Sequence, residues 1–472
     1  MINLSAIVYK LDRQSATPLF VQLTSEIRQR ITSGEIKSNQ RLPPSRSLST
    51  ELGLSRSTIT SSYEQLVAEG YIEGRRGSGY YTCPIGETEI KIEPSSSKTL
   101  PRLKTQSTSH QIGPSSPDMR LFPHRQWAQC VSRVARLTPE ALISANDAFG
   151  DYKLRHSIAS FLRDWRGLDT SPEQILITAG SIDALEICLR TLANVGDFIG
   201  LENPGYQPLR NIVLNLGMKP VWLTMGEREV EVPEIKSSTA APTMTILTPS
   251  HHYPLGGAMS PLRRYEFLQW AEQTNSWIIE DDYDSEFRYA GSPIQALAGF
   301  DTTNRTIYVG TFSKVFSTGL RLGFLVSPPE LIPRFASTLA RYGVKAATTA
   351  QRALSEFMDN GEFYRHIRRT RRIYAERRKV LLSALQEKLD DIVSIEDHAA
   401  GMQLLAALPG QYDDKAIVKA ARDQGVVVNA LSSYYATGKP RKGLVLGFCG
   451  FDEAEIERGV GVIEKVIRAV KL

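Results

Sequence analysis

Apolar residues recur every four positions near the start of the chain: Leu19, Leu23, Ile27 and Ile31, with Gly34 placed to end the run. That spacing predicts an amphipathic helix and its stop. Ser45 is placed to cap a short second helix, Arg46 to Leu52, which Gly53 ends. Ser55 is placed to cap a third, Arg56 to about Glu69, with Ile59, Tyr63, Leu66 and Val67 on its apolar face. Gly70 to Gly74 and Arg75 to Tyr81 then read as a short strand, a glycine-rich basic turn and a second strand. Two helices across a four-residue turn, followed by a basic hairpin, are the plan of a winged helix-turn-helix. Such a module enters the major groove with the start of its recognition helix, while flanking groups hold phosphates. Ser55, Arg56, Ser57 and Thr58 stand at that helix start, Arg75 and Arg76 in the wing, and Arg41 and Arg46 beside the second helix. For any single arginine, a solvated face on a small bundle is the competing reading.

From about residue 120 the pattern changes. Helical stretches alternate with short, nearly continuous apolar runs: Ile175–Ile177, Phe198–Leu201, Met244–Leu247, Trp277–Ile279 and Thr306–Val309. Runs of this kind, separated by helices, predict strands of a parallel sheet buried on both faces. Between the two patterns, residues 84–117 hold five prolines, seven serines and four threonines. Such a stretch buries little apolar surface and reads as a flexible tether. The expected domains are therefore 1–83, a linker over 84–117, and 118–472.

Composition adds detail without changing this division. A chain of 472 residues is long enough for two or three domains. The net charge is +5, of which residues 1–83 supply +3 from ten Lys/Arg against seven Asp/Glu. A small basic module on a near-neutral body follows. No apolar run reaches the ~18–20 residues of a membrane span, and the first residues lack a signal-peptide pattern. Cys83, Cys130, Cys188 and Cys449 lie far apart, which suits a reducing cytoplasm better than a disulfide framework or a metal site.

In open α/β sheets ligands sit beyond the carboxyl ends of the strands. After Ile177 comes Thr178-Ala179-Gly180-Ser181, a turn into a helix whose free amides and hydroxyl suit an anion such as phosphate. After Leu201 comes Glu202-Asn203-Pro204-Gly205-Tyr206, which puts an aromatic at a strand end. After Ile279 comes Glu280-Asp281-Asp282-Tyr283-Asp284, four carboxylates in five residues. Crowding them is costly unless some meet a cation or a protonated ring nitrogen. After Val309 comes Gly310-Thr311-Phe312-Ser313-Lys314, with Arg321 seven residues on. A pyridoxal cofactor needs a lysine, a carboxylate for its ring nitrogen and donors for its phosphate, and successive strand ends supply all three. No Gly-x-Gly-x-x-Gly follows a strand and no Walker loop is present, which disfavours nicotinamide and nucleotide readings.

Two family resemblances organise these observations. Pro18-Leu19-Phe20-Val21-Gln22-Leu23, Arg41 to Arg46, Leu52 to Thr58 and Glu69-Gly70-Tyr71-Ile72 resemble the GntR-type winged helix over about residues 15–82. Thr248 to Gly256, Ile279 to Tyr289, Gly310 to Gly323 and His398 to Met402 resemble fold-type I aminotransferases of class I/II, and over residues 118–472 specifically the MocR (GabR-like) subfamily of GntR regulators. The resemblance implies a winged helix joined to an α/β pyridoxal 5'-phosphate (PLP)-dependent transferase fold. It also implies a Schiff base on Lys314, Asp281 at the pyridinium nitrogen, Tyr283 at the phenolic oxygen and Tyr206 stacked on the ring. Gly180, Ser181, Thr311, Ser313 and Arg321 would surround the phosphate. The implied function is a PLP-dependent regulator rather than an enzyme: a head-to-tail homodimer, each winged helix resting against the partner subunit, that binds operator DNA and senses an amine, an amino acid or PLP itself. A working aminotransferase with an accessory DNA-binding domain is the alternative.

The chain also departs from aminotransferases. Tyr253 stands where they place Asn before the Pro-Thr-Gly loop, here Pro254-Leu255-Gly256. Val445 stands where they place the arginine that grips a substrate carboxylate, leaving Arg210, Arg441 or Lys442 as substitutes. His251-His252 lacks a ligand set at metal spacing, so no metal is expected. The arginine-rich stretch Arg365–Lys379 reads first as a solvated or dimer-facing helix, with contact to DNA or the linker as the second choice.

Overall fold

A computed structural model describes residues 11–84, 110–111, 117–143, 147–226, 229–234 and 241–469. The chain divides into two compact units, residues 1–104 and 105–472.

In the first unit, helices Leu19–Thr32, Ser45–Leu52 and Arg56–Ala68 precede an antiparallel hairpin, Ile72–Arg75 with Gly79–Thr82. Leu23, Ile27, Ile31, Leu48, Ile59, Tyr63, Leu66 and Ile72 form one small core. The Ser55 hydroxyl caps the third helix by accepting from the Thr58 N–H at 3.1 Å. Gly53 ends the second helix at φ +59°, a left-handed conformation that costs glycine little. Two local expectations fail. Ser45 is the first helical residue rather than the cap; Pro44 precedes it, and the Ser45 hydroxyl accepts a long 3.5 Å contact from Arg56 Nε. Val67 is 40 % exposed, because the core faces Leu66 on the neighbouring position.

The second unit is built on a seven-stranded sheet. Its spatial order is Ile175–Thr178, Gly323–Val326, Thr306–Thr311, Trp277–Asp282, Met244–Leu247, Phe198–Asn203, Lys219–Thr224. All five runs read from the sequence are strands. The sheet is not wholly parallel: Gly323–Val326 runs antiparallel between Thr306–Thr311 and Ile175–Thr178. The connection from Thr311 to Gly323 is too short for the crossover that a parallel neighbour requires, so the chain turns straight back. Lys219–Thr224 is the edge strand, where Pro220 costs no ladder hydrogen bond. Apolar cores lie on both faces of the sheet. A smaller antiparallel sheet, ordered Ser394–Glu396, Gln403–Leu408, Lys442–Gly447, Asn429–Ala430, carries the helix Asp414–Asp423, and the helix Glu453–Ala469 packs on that helix and on Glu362–Leu389.

Most of the tether expected over 84–117 lies outside the described residues. Within it, His110–Gln111 pair in parallel with Val426–Val427. The arginine-rich stretch lies on the helix Glu362–Leu389, where Arg377 is buried on Asp118 and Arg378 pairs with Asp397. Among the described residues no helix is long and apolar enough to cross a membrane.

Candidate functional site

The register of the sheet gathers the candidate phosphate groups. Gly323 aligns with Thr178 on one side and Thr311 on the other, so the turns that follow those two strands emerge at one end. Gly180 sits at φ +101° and starts the helix Ser181–Leu192. A Cβ on Gly323 would lie 2.9 Å from the Gly180 Cα, so only glycine permits this approach. The result is a helix N-terminus with unpaired amides beside the Ser181 hydroxyl. Across from it, the buried Thr311 hydroxyl accepts from the Ser313 N–H at 3.1 Å. Arg321 is exposed and held at φ +51°, unusual for a residue with a Cβ.

The four crowded carboxylates resolve one by one. Strand alternation puts Glu280 and Asp282 on one face and Asp281 on the other. Glu280 accepts the backbone N–H groups of Leu297 and Ala298 at 3.0 and 2.8 Å. Asp282 is paired with the buried Arg166 guanidinium at 2.8 Å and accepts the Tyr308 hydroxyl at 2.6 Å. Asp284 holds His251 Nδ1 at 3.0 Å. Asp281 is buried like its neighbours, yet its Oδ1 has no hydrogen-bond partner. Burial, reinforced by Asp282, pushes its carboxyl up to about 7. The largest effect on Lys314, burial, lowers its amine, and Asp284 and Asp281 oppose that by attraction. A buried carboxylate oxygen with nothing to accept from is the partner that a protonated ring nitrogen needs. Asp281 and Lys314 interact electrostatically, so the carboxylate and the amine face one site. These residues therefore fit PLP.

Tyr283 is fixed by a chain that sequence reading missed. Its hydroxyl lies 2.9 Å from His251 Nδ1, the nitrogen that Asp284 also contacts. A Cβ on Gly401 would come within 2.0 Å of the His251 ring, which explains the glycine of the His398–Gly401 run. The histidine thus orients a phenol. His252, beside it, is buried with neither ring nitrogen hydrogen-bonded, and burial depresses it to about 3.

Aromatic rings wall the remaining side. Tyr253 packs edge-to-face on Tyr206 at 5.7 Å, Tyr283 at 5.6 Å and Tyr434 at 5.4 Å. Tyr206 itself is 37 % exposed, leaving a ring free to stack. Glu202 lines the same cleft as Asp281; it accepts from Thr248 N and Oγ1, and burial raises it to about 7. Val445 is fully buried against Leu255, Leu405, Leu431 and Tyr434, so that position is core.

In the first unit Arg41, Arg46, Arg56, Arg75 and Arg76 are all exposed, as are Ser55 and Ser57, while Thr58 is half-buried. They differ in freedom. Arg75 is tied to Glu73 at 2.7 Å and lies over the Tyr81 ring at 4.3 Å. Arg41, Arg46, Arg56 and Arg76 have no carboxylate partner among the described residues.

Comparison with known proteins agrees with both halves. Residues 20–81 match the family of bacterial regulatory proteins of the gntR type, and residues 116–463 match aminotransferase class I and II. "Probable rhizopine catabolism regulatory protein MocR" of Rhizobium meliloti is 35% identical over 98% of this chain and 96% of its own length. The pyridoxine biosynthesis transcriptional regulator PdxR of Corynebacterium glutamicum is 32% identical over 94% of each chain. Among solved structures, an archaeal alanine:glyoxylate aminotransferase superposes with a TM-score of 0.71 at 25% identity, covering 78% of this chain and 92% of its own. The kynurenine aminotransferase of Pyrococcus horikoshii shares the fold at the same TM-score, 23% identity, and 82% and 97% coverage. The chain belongs to the MocR (GabR-like) subfamily of GntR-type transcription regulators, in which a winged helix is fused to a fold-type I aminotransferase-like domain.

Proposed function

We propose that the protein is a PLP-dependent regulator that reads a small amine, an amino acid or PLP itself at Lys314 and alters operator binding in response. The unpartnered Asp281 Oδ1 is the observation that carries this reading. When bound, the cofactor supplies an aldehyde that reacts reversibly with primary amines and a pyridine nitrogen that accepts a proton. Lys314 would hold the cofactor through its aldehyde group, at the place where an incoming amine would compete. Asp281 holds the proton on the ring nitrogen. Tyr283, oriented by His251, donates toward the phenolic oxygen, and Tyr206 covers the ring. The amides at Gly180 and Ser181, the hydroxyls of Thr311 and Ser313, and Arg321 hold the phosphate.

The DNA reading assigns Arg56, Ser57 and Thr58 to base edges or phosphates at the helix start, Ser55 to the cap, and Arg41, Arg46, Arg75 and Arg76 to the flanking backbone. A homodimer, head to tail as the family resemblance implies, presents two such modules to two half-sites. An amine shifts the operator-binding equilibrium only by as much as it binds one arrangement better than the other.

Lys314→Ala tests the proposal. The variant is expected to lose the covalent cofactor band and all response of operator affinity to amines, while still binding operator. A full amine response in that variant refutes it. Slow transamination is the second reading, favoured by the presence of Lys314, Asp281 and Tyr283 together. Formation of an oxo acid from an amino acid distinguishes it.

A further inference from the structure

One guanidinium stands behind two of the groups assigned to the cofactor in the proposed function, on which this inference rests. Arg166 is the last residue of the helix Tyr152–Arg166 and is buried. Its backbone carbonyl accepts the Ala296 N–H at 2.9 Å, and its Nη1 donates to the Ile294 carbonyl. The other two nitrogens have different partners. Nε lies 2.8 Å from Asp282 Oδ2 but off the line of a hydrogen bond, so opposite charge holds this contact. Nη2 donates to the Ser250 hydroxyl at 2.6 Å.

Each of these contacts ends one residue away from a group that serves the cofactor. Asp282 follows Asp281 and acts on it electrostatically. Ser250 precedes His251, whose Nδ1 lies 2.9 Å from the Tyr283 hydroxyl. Arg166, Ser250, His251 and Asp284 line one small cavity.

The surrounding groups leave this work to Arg166. Tyr308 and Ser285 donate to Asp282 Oδ2 at 2.6 and 2.8 Å but bring no positive charge. Arg264 donates to the carbonyls of Met259, Gln295 and Pro249, and no other cation pairs with Asp282 among the described residues. Glu280 spends its oxygens on backbone N–H groups. Glu286 is pushed up by burial and then by Asp282, which favours its neutral form. A buried carboxylate that lost its cation would stand uncompensated beside Asp281.

We propose that Arg166 is a positioning residue for the cofactor, acting on both sides of its ring. Through Asp282 it leaves Asp281 as the carboxylate free for the ring nitrogen. Through Ser250 it holds His251, and so aims the Tyr283 hydroxyl at the phenolic oxygen. Outer partners of this kind fix the orientation and charge of the groups that touch the ligand. A planar fork makes both contacts at once, which the single ammonium of a lysine does not.

The test is a pH titration of the visible band of the cofactor-loaded full chain. An uncompensated Asp282 adds negative charge near the cofactor, and a poorly held Tyr283 donates less well to the phenolic oxygen. Both favour the protonated form and raise the midpoint. Arg166→Gln is expected to raise it by about 2 pH units, through both routes. Ser250→Ala cuts only the route through His251 and should raise it by about 0.5–1 unit, the loss of one hydrogen bond. Arg166→Gln with Asp282→Asn removes both charges together, which a buried pair tolerates better than loss of one partner. Its midpoint should fall back to that of Ser250→Ala, and Arg166→Lys, which keeps the charge, should match it.

An unmoved pH midpoint in Arg166→Gln and Ser250→Ala, whatever the loss of stability to urea, overturns the inference by making Arg166 a support of the fold alone. A double variant shifted as far as Arg166→Gln also overturns it, because charge is then not what Arg166 supplies. Should Arg166→Gln fail to fold, Ser250→Ala and the double variant carry the test: equal raised midpoints support the inference, and a natural midpoint in either overturns it. If the natural protein shows no band that Lys314→Ala removes, the function at Lys314 falls and takes the inference with it.

Discussion

Replacing Asp281 by Asn separates what the carboxylate does for the cofactor from what it costs the fold. Burial raises this carboxyl from 3.8 to about 7. Between those values the folded protein keeps the proton while the unfolded chain releases it. The contribution to stability is therefore intact below pH 4 and is lost as pH rises toward 7. At 1.36 kcal/mol per pKa unit the loss reaches about 4 kcal/mol, and about 2–3 kcal/mol of it falls between pH 5 and pH 8. Asn has nearly the same shape and nothing to ionise. Asp281→Asn is expected to stabilise the cofactor-free protein, and to do so about 2–3 kcal/mol more at pH 8 than at pH 5. The same change removes the acceptor for the ring nitrogen, so cofactor affinity should fall by about 1.5–3 kcal/mol, the value of a hydrogen bond to a charged group. Urea unfolding followed by tryptophan fluorescence suits the measurement, because all five tryptophans lie beyond residue 105 and report on the second unit. An equal effect at both pH values would refute the reasoning, since the Asp281 carboxyl would then not be held by burial.

Three further substitutions follow, two in the second unit and one in the first. Gly401→Ala places a Cβ against His251 at φ +75°; strain and overpacking together should cost about 2–4 kcal/mol. Gly410→Ala, where a Cβ meets nothing within 4 Å, should stay within about 0.5 kcal/mol in the same unfolding assay. Arg56→Ala should weaken operator binding by about 1–3 kcal/mol in fluorescence anisotropy and leave the cofactor spectrum unchanged.

The winged helix was legible because its signals are local. Leu23, Ile27 and Ile31 face the core at helical spacing, Ser55 caps its own helix, and Gly53 supplies the left-handed stop. The buried strands were legible because continuous apolar runs have few alternatives in a two-layered sheet. Lys314 and Asp281 stood out as strand-end residues. What could not be read depends on distant partners. Arg166 neutralises Asp282 from a helix more than a hundred residues earlier, which leaves Asp281 as the unanswered carboxylate. His251 drew notice as half of a histidine pair, but its work on Tyr283 depends on Asp284 and on the space at Gly401. Tyr434 gave no local signal, and only packing brings it to Tyr253. Gly323–Val326 was missed because four residues carry little periodicity, although the short connection from Thr311 dictates its direction.

The most direct test of the account is a visible absorbance titration of the cofactor-loaded protein with amines and amino acids, with operator affinity measured at each point. The account predicts a ligand that shifts the band, leaves it shifted, and changes operator affinity with the same midpoint. Conversion of the cofactor to its pyridoxamine form with release of an oxo product, and operator affinity unmoved, would contradict it.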